Sequence, residues 1–169
     1  GLPGMIAHPS VPIGPGDFSW TAPTRMVADF IFGATPAYLE CKLNFVPVDY
    51  VARGFVAVAE RGQIGSRYFL SGPNQWLSNF LGLLESVSER KMPTQTIPSW
   101  LAGSVARCSE FGARITGRPP VATIEGIRLA TQALDIESDA SRSELALAEP
   151  DLRPSLRSLV TWINNHAEG

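Results

Sequence analysis

Cysteine is nearly missing from this chain of 169 residues, which carries only Cys41 and Cys108. The two lie far apart with no ligand-type spacing, which excludes a disulfide framework and gives no sign of a zinc site. A reducing compartment, the cytoplasm, is the expectation. Net charge is also small, with 14 basic against 16 acidic side chains, so no broad basic surface is available to grip nucleic acid. No apolar run approaches the roughly 18 residues of a membrane span, and the N-terminus has no basic flank of the secretory type. There is no Gly-Lys-Ser or Gly-Lys-Thr phosphate loop and no internal repeat. The only histidines are His8 and His166; without a nucleophile elbow or an acidic partner for His8, hydrolase chemistry has no support.

What is present is a globular composition, 44% hydrophobic and only 18% charged, enough to fill a core and unlike that of a disordered chain. The 15 glycines and 14 prolines cluster towards the start, where turns must be shaped. An apolar stretch from Gly4 to His8 reads as a strand ended by Pro9, which has no amide hydrogen for a ladder. Residues 12–23 form a structured loop. Thr24 suits a helix N-cap, and Met26, Val27, Phe30 and Ile31 follow at helical spacing up to Gly33. Residues 37–48 are extended. Asp49 stands where it can cap a helix with Val51, Phe55 and Val58 on one face, stopped by Gly62.

Residues 67–71 read as a further strand, and Leu77, Phe80, Leu81, Leu84 and Val87 mark an amphipathic helix before an extended piece at 94–97. Helices are expected over 101–115 and 124–134, an acidic stretch over 135–151, and a final helix opened by Pro154 and carrying Leu156, Leu159, Val160 and Ile163. Strands alternate with helices in the first half and helices dominate the second, which predicts an α/β arrangement with few strands for its helices.

Three patterns invite chemical readings. Gly14-Pro15-Gly16 with Ser19 is a near miss to a dinucleotide fingerprint, but Ser19 replaces the third glycine and more loop follows, so a shaped turn is the better account. Tyr38 and Lys42 have the Tyr-x-x-x-Lys spacing of a proton-transfer pair, which requires a helix where the sequence is extended. Glu85, Glu89 and Glu110 sit on polar helix faces and read as solvated. Of the four tryptophans, only Trp20 falls in the unusual loop, the others being explained by packing at helix edges.

The string Ala7-His8-Pro9-Ser10-Val11-Pro12-Ile13-Gly14-Pro15-Gly16-Asp17 resembles a strand and loop of the extended short-chain dehydrogenases/reductases, the NAD-dependent epimerase/dehydratase family. It is most similar to hopanoid-associated sugar epimerases and dihydroflavonol-reductase-like members. Asn44-Phe45-Val46-Pro47-Val48-Asp49-Tyr50-Val51-Ala52, Glu60-Arg61-Gly62 and Arg67-Tyr68-Phe69-Leu70-Ser71-Gly72 follow that family's later elements in order, as do Ile97 to Leu101 and Leu156 to Asn164. The chain departs from the pattern at Cys41-Lys42, at Arg25 where glycine is common, and at Tyr50, which replaces the second Asp of Val-Asp-Asp-Val.

The resemblance implies the carboxyl-terminal part of a Rossmann-type fold. Residues 1–72 would supply late strands and substrate loops and residues 73–169 a mainly helical substrate-binding region of one incomplete domain, without the glycine fingerprint and the catalytic Tyr/Lys helix. It implies NAD or NADP as cofactor, with Pro9, Ser10 and Val11 lining the nicotinamide end. Thr24, Arg25 and Asn44 become candidate contacts to a sugar-like or hydroxyl-bearing substrate, although Arg25 can equally pair with Asp29 one turn on, and capping and loop-satisfying roles stand beside those of Thr24 and Asn44. No catalytic residue and no metal ligand falls in the chain. The expectation is therefore a substrate-binding portion of an NAD(P)-dependent epimerase, dehydratase or ketone reductase, inactive alone. Its partner would be a separate amino-terminal half or a second copy. A non-catalytic module that docks a separate Rossmann-bearing chain is the alternative, and a truncated gene product without an independent role is a third.

Overall fold

A computed structural model describes residues 3–98 and 135–167. The helices expected over 101–115 and 124–134 lie outside the described residues. Strands β1 (Ile6–Pro9) and β2 (Val11–Ile13) open the fold, followed by α1 (Ala22–Ile31), β3 (Ala37–Tyr38), β4 (Lys42–Leu43), β5 (Phe45–Pro47) and α2 (Val48–Arg61). Then come β6 (Arg67–Leu70), β7 (Gln75–Trp76), α3 (Leu77–Ser88), β8 (Gln95–Thr96), α4 (Asp139–Leu145) and α5 (Leu152–His166). The class is α/β, as the alternation predicts. Ladders β1·β6, β2·β5 and β3·β8 are parallel and β4·β7 is antiparallel.

The first strand ends at Pro9, as expected, with Pro9 as the last residue of its ladder. Pro9 is paired with Leu70 in the β1·β6 ladder. In that ladder the amides of Ile6 and Ser10 donate to Ser66 and Leu70, and amides in an extended chain alternate in direction, so the missing Pro9 hydrogen falls on the side that β6 does not use. What changes after Pro9 is the partner. The Ser10 amide still donates to Leu70, whereas that of Val11 donates to the carbonyl of Asn44, and β2 continues against β5.

Asn44 holds this fork together. Its Nδ2 donates to the Gly72 carbonyl at 2.8 Å and its Oδ1 accepts from the Gly72 amide at 2.9 Å, so a buried side chain completes two backbone groups where no strand can reach. Gly72 must be glycine here, because a Cβ would lie 1.8 Å from the Phe45 carbonyl oxygen.

Two cores flank the fork. The larger combines Ile13 and Phe45 with the inner faces of α1, α3 and α5; Leu156, Leu159 and Ile163 are fully buried there at the spacing of one helical face. The smaller puts Val46, Tyr50, Val51 and Leu145 over Tyr68 and Leu70 of β6. Each such side chain contributes about 1.5–3 kcal/mol by leaving water.

Helix starts differ from expectation for local reasons. The first helix begins at Ala22, with Thr21 at its N-cap and Thr24 buried inside its first turn. The second begins at Val48, so Asp49 sits in its first turn and pairs with Arg53 at 2.9 Å, stabilising the positive helix end without capping it. At the C-terminus Asp151 accepts from the Arg153 amide and starts α5 two residues before Pro154. The acidic stretch contains α4, whose Ser141 hydroxyl accepts from the Phe69 amide.

Replacing Asn44 with Ala leaves the Gly72 amide and carbonyl without protein partners. Urea unfolding should show a loss of about 2–4 kcal/mol; a loss below about 0.5 kcal/mol would mean that the fork does not depend on this side chain.

Candidate functional site

Beyond the carboxyl end of β1 the chain runs through β2 into a loop, and this loop, α1 and the start of α2 enclose a cleft of about 540 Å³. Its walls include Ser10, Val11, Gly14, Asp17, Thr24 and Val48. This is where ligands settle in open α/β folds, at strand ends where neighbouring connections diverge. Gly14 gives the loop its close approach to α2, since a Cβ there would meet the Val48 side chain at 2.3 Å. The Ser155 hydroxyl donates to the Ile13 carbonyl at 3.0 Å and fixes the floor from α5.

Asp17 organises the loop. Its Oδ2 accepts from the amide of Thr21 at 2.8 Å and from its hydroxyl at 2.5 Å, filling the capping role that the Thr21 side chain itself leaves open. Burial acts to raise its carboxyl, but hydrogen bonds from Thr21, Thr24 and the loop backbone outweigh it and hold the group below its ordinary value of 3.8. Asp17 and Val48 were not among the candidates read from the sequence. The signal for Asp17 was present, an Asp four residues before the Thr that precedes the helix.

Of the candidates, Ser10, Val11 and Thr24 meet at the cleft. Pro9 is exposed and outside its lining. The amides of Ser10 and Val11 are committed to Leu70 and Asn44, which leaves the Ser10 hydroxyl, buried and without a partner among the described residues. Arg25, one helical position beyond Thr24, is turned to a different pocket, and no ion pair joins it to Asp29 among the described residues. Asn44 is 7% exposed, and its amide serves Gly72 and Asn74.

Other reactive groups are disarmed by their surroundings. Tyr38 and Lys42 stand on separate strands; the Lys42 ammonium is bound to Asp135 at 2.7 Å, and burial followed by the Glu40 charge pushes the Tyr38 phenol up. The same two causes raise the buried Cys41 thiol, which makes it a poor nucleophile. Among the described residues no group of three His, Cys, Asp or Glu side chains can hold a metal ion, and no helix is long and apolar enough to cross a membrane.

No family model matches the chain. It is 30% identical over 166 residues to a Synechocystis sp. protein carrying the provisional name dihydroflavonol 4-reductase, covering 96% of this chain and 48% of that protein. It is 27% identical over 164 residues to sterol demethylase protein B of Methylococcus capsulatus, covering 96% and 50%. The chain thus spans about half the length of the curated relatives it matches. Among solved structures, gox2253 superimposes with a TM-score of 0.78 at 33% identity, over 96% of this chain and 49% of that one. PA4631, a nucleoside-diphosphate-sugar epimerase from Pseudomonas aeruginosa, gives 0.75 at 21% identity, over 98% and 49%. UDP-glucuronic acid 4-epimerase from Bacillus cereus, solved with UDP-glucuronic acid and NAD, gives 0.64 at 14%, over 97% and 46%. These last two likenesses speak for the fold.

The Asp17 cap has a defined pH dependence. A group whose folded value is lowered stabilises above its unfolded value and loses that contribution as the pH falls through the folded one. Asp17→Ala should cost about 1 kcal/mol near neutrality, and the gap to the unaltered chain should close as urea denaturation is repeated below about pH 4. A gap that stays constant into strong acid would contradict the capping role.

Proposed function

The chain is a relative of the extended short-chain dehydrogenases/reductases, the NAD-dependent epimerase/dehydratase family, over about half of their length, and on that premise we propose that it forms the substrate-side wall of a nicotinamide-dependent active site. The activity would be that of a sugar epimerase, a dehydratase or a ketone reductase in the cytoplasm. The observation that carries this reading is the cleft at the end of β1, which has Ser10 among its walls, its hydroxyl without a partner among the described residues.

The residues present suit the nicotinamide end of NAD or NADP. With both local amides engaged, polar recognition beside Pro9, Ser10 and Val11 falls to the Ser10 hydroxyl, and an approaching carboxamide offers it a partner. Thr24 faces the same space and is the substrate contact we propose from α1. Asn44 serves by holding the fork, and Arg25 by its charge on the outer side of the helix. The bound nicotinamide supplies hydride transfer; this chain supplies walls, orientation and exclusion of water, and among the described residues the one carboxyl lining the cleft, Asp17, is engaged at the start of α1. We therefore propose that it is inactive alone.

The alternative, a module that docks a separate Rossmann-bearing chain, draws on one face of the β1·β6 ladder. Tyr68 and Leu70 are buried under α2 and α4, while Ile6 and Phe69 are 47% and 43% exposed, and His8 stacks on Phe69 at 5.4 Å. Parallel ladders are ordinarily covered on both faces. The two readings part on whether the assembled pair turns over substrate.

Titrating NADH into the full chain while following amide shifts by NMR tests the first reading. Shifts confined to Ser10, Val11 and Thr24, with millimolar affinity, reduced by Ser10→Ala and without turnover, are expected. Shifts elsewhere only, or turnover by the chain alone, would overturn it.

A further inference from the structure

On the far side of α1 lies a second pocket of about 450 Å³ that shares no lining residue with the cleft. Its walls include Ser19, Trp20, Arg25, Asp29, Phe32 and His166. Successive helical positions point about 100° apart, so α1 presents Thr24 to the cleft and Arg25, Ala28, Asp29 and Phe32 to this pocket. Its size lies within the range of small-molecule sites.

The aromatic wall is built rather than incidental. Trp162, buried in α5, carries the His166 ring stacked on it at 4.6 Å and the Trp20 ring tilted against it at 5.4 Å. The His166 Nδ1 donates to the Trp162 carbonyl at 2.8 Å, which fixes the ring. Phe18 closes the cluster edge-on to both Trp162 and His166. Trp20 holds this place at a φ of 49°, a left-handed conformation that a bulky side chain rarely adopts. Its amide bond to the Asp17 carbonyl at 3.0 Å helps keep it there. Strain of this kind persists where a side chain must be presented.

Charge decides what the wall is for. Arg25 and Asp29, one turn apart on one face, form no ion pair and no side-chain hydrogen bond among the described residues. An aryl anion would engage Arg25 and face the Asp29 carboxylate; an aryl cation would have the reverse difficulty. A molecule with a planar ring and both charged groups on one carbon answers all three features, its carboxylate on the guanidinium, its ammonium on the carboxylate and its ring against Trp20 and His166. We propose that this pocket is a binding site for a zwitterionic aromatic small molecule of the aromatic amino acid class, separate from the nicotinamide-side cleft.

Calorimetric titration of the full chain with L-phenylalanine, 3-phenylpropionate and phenethylamine tests this directly. Saturable binding of phenylalanine is expected, with each single-charge analogue weaker by about tenfold or more. Arg25→Ala and Asp29→Asn should each weaken phenylalanine by a similar factor, while Ser10→Ala in the cleft should leave it unchanged. Both altered side chains are exposed, so the fold should survive, as circular dichroism can verify. Absence of saturation at millimolar phenylalanine, an affinity in either charge variant equal to that of the unaltered chain, or an analogue that binds as well as the zwitterion would each overturn the proposal.

Discussion

The fold turns on one buried amide. Where the first strand gives up Leu70 as its partner and takes Asn44, the ladders alone leave the Gly72 backbone without a mate, and the Asn44 side chain supplies both a donor and an acceptor. The bridge works only because Gly72 has no side chain to push Phe45 away. A buried pair of unmatched backbone groups is costly, so this small contact fixes the angle at which the two ladders separate. The cleft is a consequence of that separation. Ser10, at the branch point, has its amide bound to Leu70 and its hydroxyl without a partner among the described residues.

The loop after the fork shows the same economy. Gly14 lets it touch α2, Ser155 ties Ile13 down from α5, and Asp17 turns back to start α1. The first two of these contacts join residues distant in the chain, and the third acts within the loop. That is why Thr24 and Ser10 line one space while Arg25, only one residue away, belongs to another. The charges on α1 and the hydroxyls of the cleft can therefore serve different ligands without sharing a wall.

Much of this was legible in the sequence. The alternation of strand and helix and the stripe through Leu156, Leu159 and Ile163 both reappear. Periodicity and local turn chemistry carry that information. What escaped was set by pairing phase and by long-range geometry. Pro9 ends the first strand as read, but that it still pairs within the ladder depends on the side on which its missing hydrogen falls, which cannot be known before the partner is known. Thr24 read as a cap because its type suits one, whereas the helix starts a turn earlier, where Asp17 rather than the Thr21 side chain takes the capping role. Asn44 read as a candidate ligand contact because a polar residue beside an apolar strand looks the same whether it faces a substrate or a glycine 28 positions later.

The most direct test of the central claim is hydrogen exchange at single amides in the full chain. If the Asn44 bridge is the element on which the fork depends, the Gly72 amide should exchange only through global unfolding, with protection equal to that of the Leu70 and Val46 amides within the ladders. A Gly72 amide that exchanges freely while those two remain protected would show that the ladders separate and the cleft forms without it.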